Sequence, residues 1–299
     1  MNPVRTKWLI ITVIVIIVGM IMFQFSNGDS PTKVDEIFYG GYELVETWAI
    51  PGDCFVQGLA HLNSTHIFMT CGGYGSSRIV IIHGFEFYTA LIVRDVYWAP
   101  SDMFLEGCTV VDGKLFVLTW REHKLLEFNT SNIGVSPLIH DYTVGEGWGI
   151  AYDGRKELWT SNGSNILTVL DSLSLHPIRT CELYIGETPV VYLNELEFIG
   201  EFLYANIYIP AGISNSNFIV EIDVNACKVQ SVYLMENLNK ETNQGSVMNG
   251  ISHSASHTSS TVLVTGKNWK EIHQVRMDKD KTHQDVQILK FLTLKLGFR

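Results

Sequence analysis

Hydrophobic residues occur in two kinds of segment along this chain. Residues 8–23 form one uncharged apolar run, and from about residue 42 onward short runs rich in Val, Ile, Leu, Tyr and Thr are separated by Gly, Asn, Asp and Ser. The first pattern is typical of a membrane-targeting helix, and the second is typical of β-strands joined by turns. Because long helical periodicity is absent after the apolar run, the sequence predicts an all-β domain behind an N-terminal helix.

A short motif recurs through the β-rich part of the chain. It consists of a polar residue or Trp, usually a Gly, and an apolar residue, and its copies begin at Gln57, Glu106, Trp148, Asn194 and Asn249. A second apolar run follows each copy, at residues 67–70, 115–119, 158–160, 202–205 and 262–265. The copies are about 42 to 55 residues apart, close to the length of a four-stranded propeller blade. The repeat therefore predicts a five-bladed β-propeller, with a β-sandwich as the alternative.

The two ends of the repeat region suggest how the ring closes. Residues 42–50 form a strand-like segment before the first copy, and the fifth copy runs short of strands before the charged stretch 278–281. Pairing of the first strand with the last blade would protect two sheet edges. The tail at residues 286–296 fits either a further strand or an amphipathic helix.

The N-terminal run predicts the compartment. Arg5 and Lys7 precede it, which places the N-terminus in the cytosol and the rest of the chain in a lumen or outside the cell. We expect a single-pass type II membrane protein of the secretory pathway or cell surface, with secretion after signal cleavage as the alternative. The predicted segments are a cytosolic N-terminus (1–7), a signal anchor or signal peptide (8–25), a linker (26–40), the propeller domain (41–277) and a C-terminal tail (278–299).

Sequons and cysteines add to this picture. N-x-[ST] sequons at Asn63, Asn129 and Asn162 are compatible with a luminal glycoprotein. The five cysteines show no metal-site spacing and are odd in number, so at least one has no partner within the chain. We interpret them as buried small apolar residues that include one disulfide.

Charge and the remaining polar residues exclude several functions. The chain carries 21 Lys and Arg against 31 Asp and Glu, a net charge of −10, which argues against a nucleic-acid partner. His253, His257 and His273 lack zinc-site spacing and are interpreted as core or surface residues. Glu221 and Asp223 are interpreted as the outward face of a strand that ends in a turn.

The repeat also predicts a site. If each copy begins on the innermost strand at one mouth of the channel, the first residues of the copies form a ring, and the ends of the following strands add Trp120, Tyr208 and Lys267. Taken alone, a Trp in a strand is usually a core residue and a Glu is usually on a solvated face. Their convergence places a carboxylate, an ammonium, amides and aromatic rings together, as in a ligand-binding pocket.

Six short runs occur in order through this region: residues 55–59 (FVQGL), 104–107 (FLEG), 118–120 (LTW), 145–149 (GEGWG), 193–198 (LNELEF) and 264–269 (VTGKNW). Together they resemble the glutaminyl-peptide cyclotransferases (glutamine cyclotransferases) of plant and bacterial type. The resemblance extends over about residues 42–277. It implies a five-bladed β-propeller, unrelated to the zinc-dependent animal enzymes, that converts the N-terminal glutamine of peptides or proteins to pyroglutamate and releases ammonia. It implies no zinc cofactor, and a structural ion in the channel remains open.

The resemblance also implies roles for individual residues. Glu106 matches the proton-transfer position, and Asn194 and Lys267 match its polar partners. The remaining lining residues are Phe55, Gln57, Phe104, Trp120, Trp148 and Tyr208. Tyr208 stands where the family usually has Trp, which affects substrate fit more than chemistry. The α-amine of the substrate attacks the carboxamide of the same residue, so no protein nucleophile is needed. A catalytically inactive propeller that binds peptides or proteins at the same mouth is the alternative.

Overall fold

The computed structural model describes residues 37–85, 91–209, 217–235, 237–238, 246–253 and 261–279. These residues form strands, with one 3-10 helix at Thr130–Asn132. The strands are β1 (Phe38–Ala49), β2 (Val56–His61), β3 (His66–Cys71), β4 (Arg78–His83), β5 (Ile92–Trp98), β6 (Leu105–Val111), β7 (Lys114–Thr119), β8 (Lys124–Asn129), β9 (Leu138–Asp141), β10 (Ile150–Tyr152), β11 (Glu157–Thr160), β12 (Ile166–Asp171), β13 (Pro177–Glu182), β14 (Tyr184–Ile185), β15 (Thr188–Pro189), β16 (Leu193–Ile199), β17 (Phe202–Ile207), β18 (Phe218–Asp223), β19 (Lys228–Leu234), β20 (Met248–Ser252), β21 (Thr261–Gly266) and β22 (Glu271–Asp278).

The longer strands form sheets of four. Four sheets use consecutive antiparallel strands, β2 to β5, β6 to β9, β10 to β13 and β16 to β19, and the fifth has the order β20-β21-β22-β1. The first strands of the sheets, β2, β6, β10, β16 and β20, contact one another in a closed ring. The prediction of an all-β fold is therefore confirmed, and the arrangement is propeller-like. Each copy of the sequence motif lies on or directly before the first strand of a sheet.

Strand β1 closes the ring. Residues Gly41 to Ala49 pair antiparallel with β22, which confirms the predicted pairing of the first strand with the last sheet. The strand begins earlier than the sequence pattern indicated, because Phe38 to Gly40 pair in parallel with β19. One strand thus joins the fourth and fifth sheets and covers an edge of each.

The glycine of the motif is required where neighbouring inner strands approach closely. A Cβ on Gly58 would lie 2.7 Å from the backbone nitrogen of Cys108, and a Cβ on Gly107 would lie 2.7 Å from the carbonyl oxygen of Trp148. The Gly107 N–H donates to that same oxygen over 2.7 Å. Any side chain at these positions would push adjacent sheets apart, so the glycines set the diameter of the ring.

The fourth copy of the motif carries Glu195 where the other four copies have a glycine. Its carboxylate is fully buried and accepts the N–H of Leu59 over 3.3 Å and that of Ile251 over 2.8 Å. These donors belong to the first strands of the first and fifth sheets. The Glu195 side chain thereby ties the fourth sheet to the first and the fifth sheets.

The cysteines form more disulfides than the sequence indicated. Cys54 pairs with Cys71 and Cys181 pairs with Cys227, while Cys108 is a buried free thiol. The expectation of one disulfide is wrong because the second bridge joins two neighbouring sheets. Contacts of this kind are set by tertiary packing and leave no spacing pattern in the chain.

Glu221 does not face solvent as the strand pattern suggested. It is fully buried, and its carboxylate accepts the hydroxyls of Tyr204 over 3.0 Å and Tyr233 over 2.6 Å and an N–H of Lys279 over 2.7 Å. The fifth sheet packs against this face of β18. The face that the sequence pattern assigned to solvent is therefore buried between the fourth and fifth sheets. Asp223 does end the strand in a turn, where it accepts backbone N–H groups.

The N-terminal predictions concern residues 8–25, which lie outside the described residues, as does the tail at residues 280–299. Among the residues that the structure describes, no helix is long and apolar enough to cross a membrane. The anchor, the type II topology and the glycosylation of the sequons stay predictions.

Candidate active site

One cavity, of about 240 Å³, opens at the edge of the sheets where the first strands begin. It is lined by Phe55, Gln57, Phe104, Glu106, Trp120, Trp148, Asn194, Tyr208 and Lys267. The structure thus brings together all the side chains that the sequence singled out for catalysis and substrate binding. Asn249 is the one member of the expected ring that does not line this cavity.

Hairpin geometry explains why these residues meet. In each sheet the second strand runs antiparallel to the first, so the start of the first strand and the end of the second share an edge. Glu106 and Asn194 lie near the starts of β6 and β16, whereas Trp120, Tyr208 and Lys267 directly follow β7, β17 and β21. Sheets arranged around one axis then direct these edges toward a common mouth.

Glu106 and Lys267 are the two ionisable groups that line the cavity and are largely buried, at 6% and 8% exposure. The pKa of the Glu106 carboxyl is raised to about 8. Burial is the largest cause, the Lys267 ammonium acts in the opposite direction, and the Glu146 and Glu122 carboxylates contribute smaller increases. Burial lowers the pKa of Lys267, and the Glu106 charge opposes that shift. The site therefore holds a carboxyl group that can gain or lose a proton near neutral pH.

Aromatic rings surround the Lys267 ammonium. Its Nζ lies 5.0 Å from the ring centroid of Phe55 and 4.8 Å from that of Tyr208. The Tyr208 ring in turn meets Trp148 edge to face at 5.8 Å. Ring faces attract a cation while they exclude water. This arrangement keeps a positive charge at the cavity in a poorly hydrated setting.

Two amides at the cavity have hydrogen-bonding capacity that no described residue satisfies. Gln57 Nε2 and Asn194 Oδ1 are buried and lack a partner there. Asn249, which was expected in the ring, instead lies behind Gln57 and donates from Nδ2 to its Oε1 over 2.7 Å. That hydrogen bond uses the carbonyl oxygen of the Gln57 amide, so the group that is left without a partner is the NH₂ donor at Nε2. One unused donor and one unused acceptor are thus available to a ligand.

Glu146 and Glu122 were not identified as site residues from the sequence. Glu146 Oε2 accepts the indole N–H groups of Trp120 over 2.8 Å and Trp148 over 3.1 Å. Glu122 accepts the hydroxyl of Tyr74 over 2.8 Å and the backbone N–H of Phe104 over 3.3 Å. A carboxylate between two glycines in the run 145–149 was the available signal for Glu146. Its partners, however, become visible only when the sheets are assembled.

The Cys54–Cys71 disulfide supports one wall of the cavity. Cys54 precedes Phe55, whose carbonyl accepts the N–H of Gly72, the residue after Cys71, over 2.9 Å. The carbonyl of Cys54 accepts the N–H of Asn268 over 3.1 Å. The disulfide therefore fixes the backbone on which Phe55 stands and, through Asn268, the segment that carries Lys267.

We expect the two disulfides to differ in their effect on the site. Replacing Cys54 and Cys71 by Ala should lower the free energy of unfolding by about 3 kcal/mol, and replacing Cys181 and Cys227 by about 4 kcal/mol, because the second bridge closes the longer loop. Binding of a ligand at the cavity should weaken only in the variant that lacks Cys54 and Cys71. Denaturant unfolding and binding titrations measure both effects. Equal binding by the two double variants would contradict a supporting role for Cys54–Cys71.

Within the described part of the chain, no three His, Cys, Asp or Glu side chains are grouped in a way that could hold a metal ion. His273 is buried and its Nδ1 lies 2.9 Å from Thr47 Oγ1, and His253 Nδ1 lies 3.1 Å from the carbonyl of Thr261. His257 is outside the described residues. The expectation that no zinc is needed stays a prediction.

The fold and the cavity together define a propeller-like protein with a buried carboxyl and ammonium pair inside an aromatic pocket. Residues 16–277 match the family model described as glutamine cyclotransferase. The glutaminyl-peptide cyclotransferase of Arabidopsis thaliana is 26% identical over 258 residues, which cover 84% of this chain and 74% of that protein. The solved structure of Myxococcus xanthus glutaminyl cyclase has the same fold, with a TM-score of 0.66 at 24% identity over 81% of this chain and 99% of that one.

This chain belongs to the glutamine cyclotransferase family. The resemblance found in the six sequence runs is therefore confirmed.

Proposed function

We propose that this protein is a glutaminyl-peptide cyclotransferase built as a five-bladed β-propeller, which converts the N-terminal glutamine of peptides or proteins to pyroglutamate and releases ammonia. The observation that carries this proposal is the buried Glu106 carboxyl, placed with Lys267 in an aromatic cavity. Family membership supports the same reaction. A cavity of about 240 Å³ has room for one amino-acid side chain and its α-amine.

In this reaction Glu106 moves one proton between two nitrogens of the substrate. The neutral α-amine attacks the γ-carboxamide carbon, a C–N bond forms, and the carbonyl oxygen becomes an oxyanion. The Glu106 carboxylate accepts a proton from the attacking nitrogen and then donates it to the carboxamide nitrogen. The original C–N bond to the carboxamide nitrogen then breaks, and ammonia leaves. The carboxylate is regenerated, so no other reactant is consumed.

Glu106 suits both halves of this transfer. Its pKa of about 8 is close to the 7.7–8.0 expected of a free α-amine, so neither direction of proton transfer is strongly uphill. The Lys267 ammonium lies among rings at the same cavity, where it stabilises the oxyanion more strongly than it would in water.

The two unsatisfied amide groups fit a carboxamide. Gln57 Nε2 can donate to the carbonyl oxygen of the substrate side chain, and Asn194 Oδ1 can accept from its NH₂ group. Phe55, Phe104 and Trp148 confine the chain of the glutamine so that the α-amine reaches the carboxamide carbon. Holding two reacting groups of one molecule together supplies much of the rate enhancement in such a reaction.

The pH dependence should follow from the two buried charges. Glu106 must be ionised to accept a proton and the substrate α-amine must be neutral to attack. The pKa of about 8 for Glu106 and that of 7.7–8.0 for a free α-amine both mean that kcat/KM falls as the pH drops below about 8. Lys267 must be protonated to stabilise the oxyanion, so kcat/KM should fall again as the pH rises and this ammonium loses its proton. Because the pKa of Lys267 is lowered, that fall should occur at a lower pH than for an ordinary lysine. A pH–rate profile of the purified protein tests this. A plateau that extends from pH 6 to 8 would contradict the role of Glu106.

The function itself is tested with three peptides that differ only at the first residue: Gln, Nα-acetyl-Gln and Asn. The full-length chain, purified in mild detergent, should release ammonia only from the peptide with a free N-terminal Gln. The acetylated peptide lacks the nucleophilic amine, and Asn is one methylene too short to form the five-membered ring. Absence of turnover on the first peptide, or equal turnover on all three, would contradict the proposal.

A further inference from the structure

We propose that Glu146 is a positioning residue of this site: its carboxylate holds the indoles of Trp120 and Trp148 by accepting an N–H from each, and so fixes two walls of the cavity around the reacting glutamine. This inference rests on the proposed function, whose substrate it concerns. Glu146 does not line the cavity itself.

The hydrogen bonds of Glu146 connect two sheets. Trp120 follows the second strand of the second sheet, and Trp148 precedes the first strand of the third. Oε2 accepts both indole N–H groups, and Oε1 accepts the Nε–H of Arg121 over 3.0 Å. The Arg121 guanidinium lies 3.7 Å from the ring centroid of Trp120. An indole has a single donor and no acceptor, so one carboxylate fixes the edge of each ring.

The backbone around Glu146 fixes its position. Gly145 has a φ of 113°, a conformation that side chains disfavour. A Cβ on Gly147 would lie 2.6 Å from the carbonyl oxygen of Thr119, and the Gly147 N–H donates to the carbonyl of Trp120 over 3.0 Å. The two glycines therefore allow the loop to lie against the end of β7. The contact between Gly147 and the end of β7 therefore holds Glu146 directly beside the indole of Trp120.

Glu146 also acts on Glu106 through its charge. The groups whose charges interact with Glu106 are Lys267, which lowers the pKa of this carboxyl, Glu146 and Glu122, which raise it, and the hydroxyls of Tyr74 and Tyr208. Removing the charge of Glu146 should lower the pKa of Glu106. The acidic limb of the rate profile should then move to lower pH, which a loss of stability alone would not cause.

Two substitutions separate the hydrogen bonds from the charge. In Glu146→Gln the charge is lost and an NH₂ group replaces one of the two carboxylate oxygens, so the side chain can no longer accept from both indoles and from Arg121 at once. We therefore expect the indoles to shift, kcat to fall about 10- to 100-fold and the acidic limb to move to lower pH. In Glu146→Asp the charge remains but the side chain is one methylene shorter, so kcat should fall while the acidic limb stays. KM should change less than kcat in both. Wild-type kcat and an unshifted acidic limb in Glu146→Gln would overturn the proposal.

Glu157→Gln is the matched control. Glu157 accepts an N–H of Arg179 over 2.7 Å, and the Arg179 guanidinium lies 4.5 Å from the ring centroid of Trp159, so the same three residue types meet away from the cavity. This variant should keep kcat and the pH profile of the wild type. A loss of kcat equal to that of Glu146→Gln would show that Glu146 acts only on the fold and would overturn the proposal.

A readout independent of turnover keeps this inference separate from the proposed function. The indole N–H resonances of Trp120 and Trp148, assigned with Trp→Phe variants at each position, should shift in the ¹H–¹⁵N spectrum of Glu146→Gln and stay in place in Glu157→Gln. Unshifted resonances would overturn the proposal even in an active enzyme. If the wild type shows no turnover, the proposed function fails, and these resonances still decide whether Glu146 holds the indoles.

Discussion

Glu106→Gln should lower kcat by about 10²- to 10⁴-fold, the range expected when a positioned proton-transfer group is lost. The amide has nearly the same shape as the carboxylic acid, but it cannot accept a proton from the attacking amine. Because burial raises the pKa of Glu106, the fold does not depend on its charge. The variant should therefore melt at the same temperature as the wild type or at a higher one, because a neutral amide avoids the cost of burying a charge. Steady-state ammonia release and thermal unfolding measure the two effects.

Glu197→Gln is the control for this experiment. Burial also raises the pKa of the Glu197 carboxyl to about 8, but it accepts the backbone N–H of His253 over 2.6 Å and does not line the cavity. Its amide can still accept that hydrogen bond, so kcat should be unchanged. If both variants lose activity equally, or if neither does, Glu106 is not the proton-transfer group.

Lys267→Met should lower kcat/KM by about 10²- to 10³-fold, as expected for loss of an oxyanion donor. The methionine side chain retains much of the volume of the lysine stem, so the packing against Phe55 and Tyr208 is largely preserved. The ammonium also lowers the pKa of Glu106, so its removal should raise that pKa further. The acidic limb of the rate profile should then move to higher pH, opposite to its movement in Glu146→Gln.

Lys270→Met provides the comparison. Lys270 lies three positions along the chain and forms an ion pair with Asp53, and its side chain is half exposed. Its removal should leave both kcat/KM and the pH profile unchanged. An acidic limb that stays in place or moves to lower pH in Lys267→Met would contradict the proposed electrostatic coupling of Lys267 to Glu106.

The sequence predicted the part of the site that depends on the repeat. Each copy places its polar residue at the start of an inner strand, and strand alternation then directs Gln57, Glu106 and Asn194 toward the same cavity. The closure by β1 was predictable for a similar reason, since an unpaired strand and a short last sheet both need a partner.

The features that the sequence did not predict all depend on contacts between sheets. Asn249 occupies an equivalent position in its copy, yet it contacts Gln57 instead of the cavity. Glu195 accepts backbone N–H groups from two other sheets, whereas Glu221 accepts hydroxyls from its own sheet and is buried by the fifth sheet, beyond whose last strand Lys279 lies. Glu146 follows the same rule, because its two indole donors come from different sheets. The Asn249–Gln57, Glu195–Leu59 and Glu146–Trp120 pairs are 192, 136 and 26 residues apart in sequence and leave no periodic signal.

The most direct test of the central claim follows one nitrogen atom. The full-length chain is incubated with a peptide whose N-terminal Gln carries ¹⁵N only in its side-chain carboxamide, and both the ammonia and the peptide are analysed by mass spectrometry. We predict that the ammonia carries the label and that the peptide becomes its unlabelled pyroglutamyl form, at a rate that collapses in Glu106→Gln. Unlabelled ammonia, or tight binding of the peptide without any release, would contradict the claim, and the second result would instead indicate a binding propeller.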